Sequence, residues 1–145
     1  ELEAEVNTTA TRMLVCASLR PAPALGGSLG YGFLGFQGAW QGGGGGFGTF
    51  QGVALGGESW GGPRGYGGVF LAGAWLPVGP GVFLLPALGL GGESGGFLLD
   101  LGVRGFGFFR EEGGWVFGVG AGYALPLESS GGGWYVRLAF GGGRP

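Results

Sequence analysis

Glycine occupies 42 of the 145 positions of this chain, and that frequency excludes most ways of folding it. A helical protein is nearly excluded, because each glycine inside a helix costs about 1 kcal/mol relative to alanine. Collagen is excluded because Gly30, Gly32 and Gly35 do not keep a triplet period. Disordered chains avoid apolar and aromatic residues, which here make up 45% and 14% of the sequence. The remaining candidates are an all-β fold and a glycine-rich extended assembly.

The charged residues exclude several functional classes. The seven basic residues are all arginines, nine residues are acidic, and there is no histidine, so the net charge is −2. Nucleic-acid-binding proteins show clustered basic residues, which are missing here, so we expect no nucleic-acid partner. A single cysteine, Cys16, and scattered acids offer no ordinary metal site. We therefore predict no metal, no cofactor and no enzymatic activity.

Eight segments of strand character, separated by breaks rich in glycine, proline and serine, follow one another along the chain. The segments span 7–20, 28–40, 47–55, 66–76, 82–90, 97–109, 115–125 and 134–141. The breaks between them span 20–27, 41–46, 56–65, 77–81, 91–96, 110–114 and 127–133. Regular strand spacing of this kind is typical of an antiparallel sandwich or barrel. We predict one domain over residues 1–145, with residues 1–6 disordered and 141–145 forming a tail.

The last three segments alternate between a bulky face and a small one. In 115–125, for example, the odd positions begin with Trp115 and Phe117, and the even positions include Gly118 and Gly120. Glycine strands exposed to water pack little, so a soluble sheet would be poorly specified by this pattern. The inverse arrangement, with bulky residues facing lipid and glycines facing a lumen, explains it better. The segments at 66–76 and 82–90 are apolar on both faces, so their alternation gives no orientation.

The fold class predicted from these patterns is an all-β, antiparallel, up-and-down closed β-barrel of about eight transmembrane strands. Its partner would be the lipid bilayer. A strand that spans a bilayer at a tilt needs about 9–11 residues, and the segments are about that long. Closing the sheet also satisfies every backbone amide, which lipid cannot do. If both termini lie on one side, the breaks on that side are slightly shorter than those on the other.

Aromatic residues concentrate near the ends of the segments, as in the interfacial girdles of membrane barrels. The predicted girdle consists of Trp40, Tyr66, Trp75, Phe97, Phe109, Trp115, Tyr123, Trp134 and Phe140. The alternative is that these aromatics cap the ends of a soluble core. Trp60 and Arg64 fall in the longest break, where we expect them to be available as a loop contact for a partner.

The charges within or beside the segments predict a network inside the lumen. An arginine that faces lipid near the bilayer midplane would cost about 2–4 kcal/mol, so an inward position is preferred. The predicted network consists of Arg12, Asp100, Arg104, Arg110 and Arg137. Asp100 and Arg104 are four positions, or roughly 13 Å, apart along one strand, so we expect each to pair with another strand and not with each other. Such a network either plugs the barrel or tunes a narrow passage.

Residues 134–140, with the sequence WYVRLAF, alternate apolar residues and end in phenylalanine. This segment resembles the terminal strand of small eight-stranded outer-membrane barrels, the OmpA/OmpX-like group. In that group the phenylalanine is usually the last residue and helps the assembly machinery to recognise the strand. Here residues 141–145 follow it. The resemblance extends over nearly the whole chain as a pattern, and it implies a fold more than an activity.

The predicted function is that of a small outer-membrane β-barrel with a structural, anchoring or narrow-pore role in the cell envelope. Other envelope proteins are candidate partners. One alternative is a soluble β-barrel that binds an apolar ligand inside an aromatic-lined interior. Such a barrel would shield its Phe, Trp and Leu side chains from water as a monomer. The other alternative is a subunit of a glycine-rich extracellular fibre.

Overall fold

The computed structural model describes residues 27–63, 65–127 and 132–145. The predicted segment at 7–20, which contains Arg12, lies outside the described residues, as do residues 1–6 and Arg64. Within the described ranges, no helix is long and apolar enough to cross a membrane.

In the described part of the chain, nine strands form one antiparallel sheet. They are β1 (Ser28–Phe36), β2 (Trp40–Phe50), β3 (Val53–Gly62), β4 (Gly65–Ala74), β5 (Leu76–Gly79), β6 (Val82–Glu93), β7 (Gly96–Phe108), β8 (Gly114–Pro126) and β9 (Gly133–Arg144). The short β5 continues β4 along the same edge of β6, because Gly73 pairs with Ala87 and Leu76 pairs with Leu84 in one register. β4 and β5 therefore form one interrupted strand of the barrel.

The sheet closes on itself as a ring of eight strands. Neighbours in sequence pair with each other, β4 pairs with β6, and β1 pairs with both β2 and β9. Tyr31, at the centre of β1, lies opposite Gly45 on one side and Gly141 on the other. The predicted all-β, closed antiparallel barrel of about eight strands is therefore confirmed.

The strand boundaries between residues 40 and 62 differ from those predicted. The glycine run at 42–46 is part of β2 and not a break, and 56–62 belongs to β3. The predicted segment 47–55 crosses the real turn at Gln51 and Gly52. Two strands thus replace one, and the ring reaches eight strands without the segment at 7–20. A Cβ added to Gly43 would lie 2.8 Å from the Trp60 backbone and 2.9 Å from the Phe33 ring, so close packing requires glycine there.

The predicted difference in loop length is wrong. At the proximal end, where β1 begins and β9 ends, the connections are 51–52, 80–81 and 109–113. At the distal end they are 37–39, 63–64, 94–95 and 127–132. Both ends have mostly short turns, because the glycine-rich stretches that were predicted to be breaks are largely parts of strands. For the same reason β9 runs through Arg144, so residues 141–144 are not a tail.

Large apolar side chains cover the outside of the barrel. Among the residues that the structure describes, twenty-seven Leu, Val, Phe, Tyr and Trp side chains are exposed, among them Phe70 at 83% and Trp134 at 77%. In the last three strands, the bulky face predicted to point outward does so. Of the charged residues described within the strands, only Arg144, near the end of β9, lies on the outer side. The other strand charges point into the barrel.

Candidate functional site

The proximal half of the interior is filled by an apolar core. Leu29, Phe47 and Leu85 are completely buried there, and Val116 is nearly so. Aromatic rings complete this layer, since Trp75 stacks on Phe83 with 4.7 Å between ring centroids. The side chains of eight strands are expected to just fill a barrel of this size.

Trp75 is therefore not part of an outer girdle, contrary to the prediction, because its side chain is only 7% exposed. Along β4, Val69 and Leu71 point inward and Phe70 points outward. Because side chains alternate along a strand, Trp75 points inward like the other odd-numbered residues, Val69 and Leu71. The sequence did not reveal this because both faces of the segment are apolar.

A buried ionic network lies next to the apolar core. Glu58 on β3 accepts hydrogen bonds from Nε and Nη2 of Arg104 on β7, at 3.2 and 2.9 Å. Glu58 also accepts from Nη1 of Arg137 on β9 and from the hydroxyl of Tyr31 on β1. The side chains of the three ionic residues are at most 5% exposed. One carboxylate thus joins four strands through the centre of the barrel.

Asp100 extends this network along β7. Its Oδ1 accepts a hydrogen bond from the Tyr135 hydroxyl, and its Oδ2 lies 3.6 Å from Nη2 of Arg104. Each of the two residues pairs with another strand, as expected, but the expectation that they do not pair with each other is wrong. The 13 Å separation applies to the backbone, whereas the long arginine side chain leans along the strand toward Asp100. With Glu58 and Asp100 against Arg104 and Arg137, the formal charges of the network balance.

The predicted lumen residues are thus divided by the structure. Asp100, Arg104 and Arg137 come together inside the barrel. Arg110 does not join them, because β7 ends at Phe108 and Arg110 lies exposed in the following turn. Arg12 lies outside the described residues.

Glu58 was missed because the sequence placed it in a break between strands. A signal for it did exist in the charges. The predicted network contained several arginines and one acid, and a buried cation without a partner is costly. This excess of arginines over acids predicts another carboxylate within or close to a strand.

Inward-facing glycines make room for this network. A Cβ added to Gly120 would lie 3.1 Å from the Arg137 side chain, and one added to Gly118 would lie 2.8 Å from the Phe106 ring. The Tyr135 hydroxyl occupies the corresponding space above Gly122. The bare inner face predicted for these strands is therefore covered by large side chains from their neighbours.

The distal half of the interior opens into a pocket, the vestibule, of about 450 Å³ including its open mouth. Its floor is formed by Glu58, Asp100 and Arg137, and its walls and mouth include Phe33, Gln41, Trp60, Glu93, Leu98 and Tyr135. Trp60 was expected in a loop, but it lies on β3 and points inward, where its Nε1 donates to Oε2 of Glu93 at 3.1 Å. Arg64, its predicted companion, lies outside the described residues.

The other girdle residues form two groups on the outside of the barrel. The distal group consists of Trp40, Tyr66, Phe97, Tyr123 and Trp134, and the proximal group consists of Phe109, Trp115 and Phe140. Within these groups, Tyr123 contacts Trp134 at 5.0 Å between centroids, and Trp115 stacks on Phe140 at 5.3 Å. All are exposed except Tyr123, which is half-buried.

Among the described residues, no group of three or more potential ligands could hold a metal ion. No protein-family model matches the chain, and comparisons with curated proteins and with solved structures give no match either. The resemblance to the small outer-membrane barrels therefore rests on the sequence pattern alone.

Proposed function

We propose that this protein is a small outer-membrane β-barrel whose outer surface faces lipid and whose role is structural or anchoring. The observation that carries the proposal is the exposed apolar surface, where the described residues place 27 large hydrophobic side chains around a single closed sheet. Soluble monomers rarely expose contiguous apolar patches larger than a few hundred Å². Closed antiparallel barrels with an apolar outer band are the architecture of outer-membrane proteins.

The distribution of charge supports the same proposal. Glu58, Asp100, Arg104 and Arg137 lie inside the barrel, where they pair with one another. Arg110, by contrast, lies in a turn at one end. A bilayer favours this distribution because arginine on the lipid face is costly. The two aromatic groups near the barrel ends match the expected positions of interfacial girdles.

The filled interior favours an anchoring role over a narrow pore. Phe47, Leu85 and Val116 are at most 1% exposed, and the network around Glu58 lies next to them. A solute would have to displace both layers in order to pass. The absence of catalysis and of a nucleic-acid partner, and the involvement of other envelope proteins, stay predictions.

Both alternatives fit the structure less well. A soluble barrel that binds an apolar ligand would shield Phe, Trp and Leu side chains in the monomer, whereas Phe70, Leu55 and Trp115 are 83%, 61% and 62% exposed. Its interior would also be apolar around a cavity, whereas the vestibule floor is ionic. A fibre of stacked strands needs open strand edges, and the ring of eight closes on itself.

Partitioning between buffer and detergent tests the proposal. We expect the folded protein to require detergent and to show a heat-modifiable β-sheet band on gels. Recovery of a folded monomer from buffer alone would contradict the membrane assignment. In planar bilayers we expect no discrete conductance steps, and regular steps would contradict the anchoring role while leaving the membrane assignment intact.

A further inference from the structure

Counted over the described residues, the vestibule carries one negative charge more than its ionic network needs. Glu58 and Asp100 balance Arg104 and Arg137 at the floor, which leaves Glu93 at the mouth. The described donors to Glu93 are both neutral. Trp60 Nε1 lies 3.1 Å and Gln41 Nε2 lies 3.5 Å from the same oxygen, Oε2. The second oxygen, Oε1, has no described protein donor and can accept one from a ligand.

The walls beside Glu93 are aromatic. Phe33, Trp60 and Tyr135 line the vestibule. Aromatic faces attract cations, most strongly where water is excluded. The vestibule already contains one such contact, because the Arg137 guanidinium carbon lies 4.0 Å from the centroid of the Phe33 ring. A carboxylate next to aromatic walls is complementary to an ammonium group that carries an apolar substituent.

We propose that the vestibule binds a small organic cation, an alkyl- or arylammonium ion. Its ammonium group donates to Glu93, and its apolar part packs against Trp60. The vestibule has room only for a small molecule, because its volume of about 450 Å³ already includes the open mouth. The proposal concerns the interior only, so it does not depend on whether the outer surface meets lipid.

Three probes that share the 3-methylbutyl group separate the effect of charge from that of shape: 3-methylbutylammonium, the neutral 3-methylbutan-1-ol and the anionic 4-methylpentanoate. The full-length folded protein is labelled with ¹⁵N, and the indole N–H resonances of its five tryptophans are followed during titration. The variant Trp60→Phe assigns the vestibule resonance. We expect 3-methylbutylammonium to shift the Trp60 resonance saturably, while those of Trp115 and Trp134 on the outside stay in place.

Two matched variants test the role of the carboxylate. Glu93→Gln keeps the shape of the side chain and removes its charge, and we expect it to weaken ammonium binding by about tenfold or more, as for a lost charge-assisted hydrogen bond. Glu112→Gln, the same change in an exposed turn at the opposite end, should leave binding unchanged. Equal binding by wild type and Glu93→Gln would overturn the proposal. So would equal or tighter binding of the alcohol or the anion, or a uniform shift of all indoles caused by partitioning into detergent.

Discussion

Arg104 on β7 and Glu58 on β3 meet inside the barrel with 2.9 Å between Nη2 and Oε1, although 46 residues separate them in sequence. The two strands are not neighbours in the ring, so this contact crosses the lumen. Arg137 approaches the same carboxylate from β9. One acid therefore fixes three strands in relation to one another, and its removal would leave two buried guanidinium groups without their main partner.

We predict that Glu58→Gln lowers the free energy of unfolding by about 3–5 kcal/mol, the usual cost of breaking a buried ion pair. Urea titration of the folded barrel, followed by tryptophan fluorescence and by the heat-modifiable gel shift, measures the change. The control is Glu112→Gln, which lies in an exposed turn and should change stability by no more than about 0.5 kcal/mol. A loss below about 1 kcal/mol in Glu58→Gln would show that the network does not stabilise the barrel.

Trp75 and Trp134 provide a second comparison, because one is 7% and the other 77% exposed. We expect Trp75→Ala to cost about 3–5 kcal/mol, since it leaves a cavity beside Phe83 and Phe106. Trp134→Ala leaves no interior cavity and should cost about 1 kcal/mol or less. The same urea titration compares them. Equal losses would place Trp75 on the outside, as the sequence pattern first indicated.

Gly118 and Gly107 lie on adjacent strands and face opposite sides of the barrel wall. A Cβ on Gly118 would lie 2.8 Å from the Phe106 ring, whereas the nearest atom to a Cβ on Gly107 would be 3.9 Å away. We predict that Gly118→Ala destabilises the barrel by about 1–3 kcal/mol through overpacking. Gly107→Ala should be neutral or slightly stabilising, because alanine loses less entropy than glycine on ordering. If Gly118→Ala is as stable as Gly107→Ala, the interior is not packed at this position.

Gln51 has a φ of 50°, and Gly52 beside it has a φ of 81°. Two consecutive positive φ values are typical of the tight turn that connects hairpin strands, and glycine adopts them without steric cost. We expect Gln51→Gly to raise the free energy of unfolding by about 0.5–1 kcal/mol, because the left-handed strain it relieves, about 1–2 kcal/mol, exceeds the entropic cost of glycine, about 0.5–1 kcal/mol. Gly52→Ala should lower it, since alanine is strained in this conformation. Urea midpoints measure both changes, and shifts of the same sign in the two variants would contradict this description of the turn.

The sequence predicted the fold best where bulky and small residues alternate, as they do in β8. It failed in β2, because a run of five glycines has no side chains from which a strand phase can be read. The run forms a strand by pairing with β1 and β3, and at Gly43 the neighbours Phe33 and Trp60 occupy the space that a side chain would need. Such a packing relationship joins distant segments, so local patterns could not show it.

The sequence predicted only part of the site, because it identified charges on apolar strands but not a charge in a glycine-rich context. Asp100 and Arg104 stand out as charges on an apolar strand, and Arg137 does so on another. Glu58 follows two glycines and precedes a serine, in a context that is typical of a loop. The residues that line the vestibule come from the distal ends of several strands. Closure of the ring decides which strand ends lie together, so no single segment of the sequence could predict the vestibule.

Quenching of tryptophan fluorescence by brominated lipids tests the lipid-facing outer surface most directly. Variants that retain a single tryptophan, Trp115 or Trp134 on the outside or Trp75 inside, are reconstituted into vesicles whose acyl chains carry bromine near the interface. We predict strong quenching of Trp115 and Trp134 and little quenching of Trp75. Quenching of Trp75 as strong as that of Trp115 and Trp134 would contradict the lipid-facing assignment of the outer surface. So would the absence of any tryptophan quenching in the folded protein mixed with vesicles.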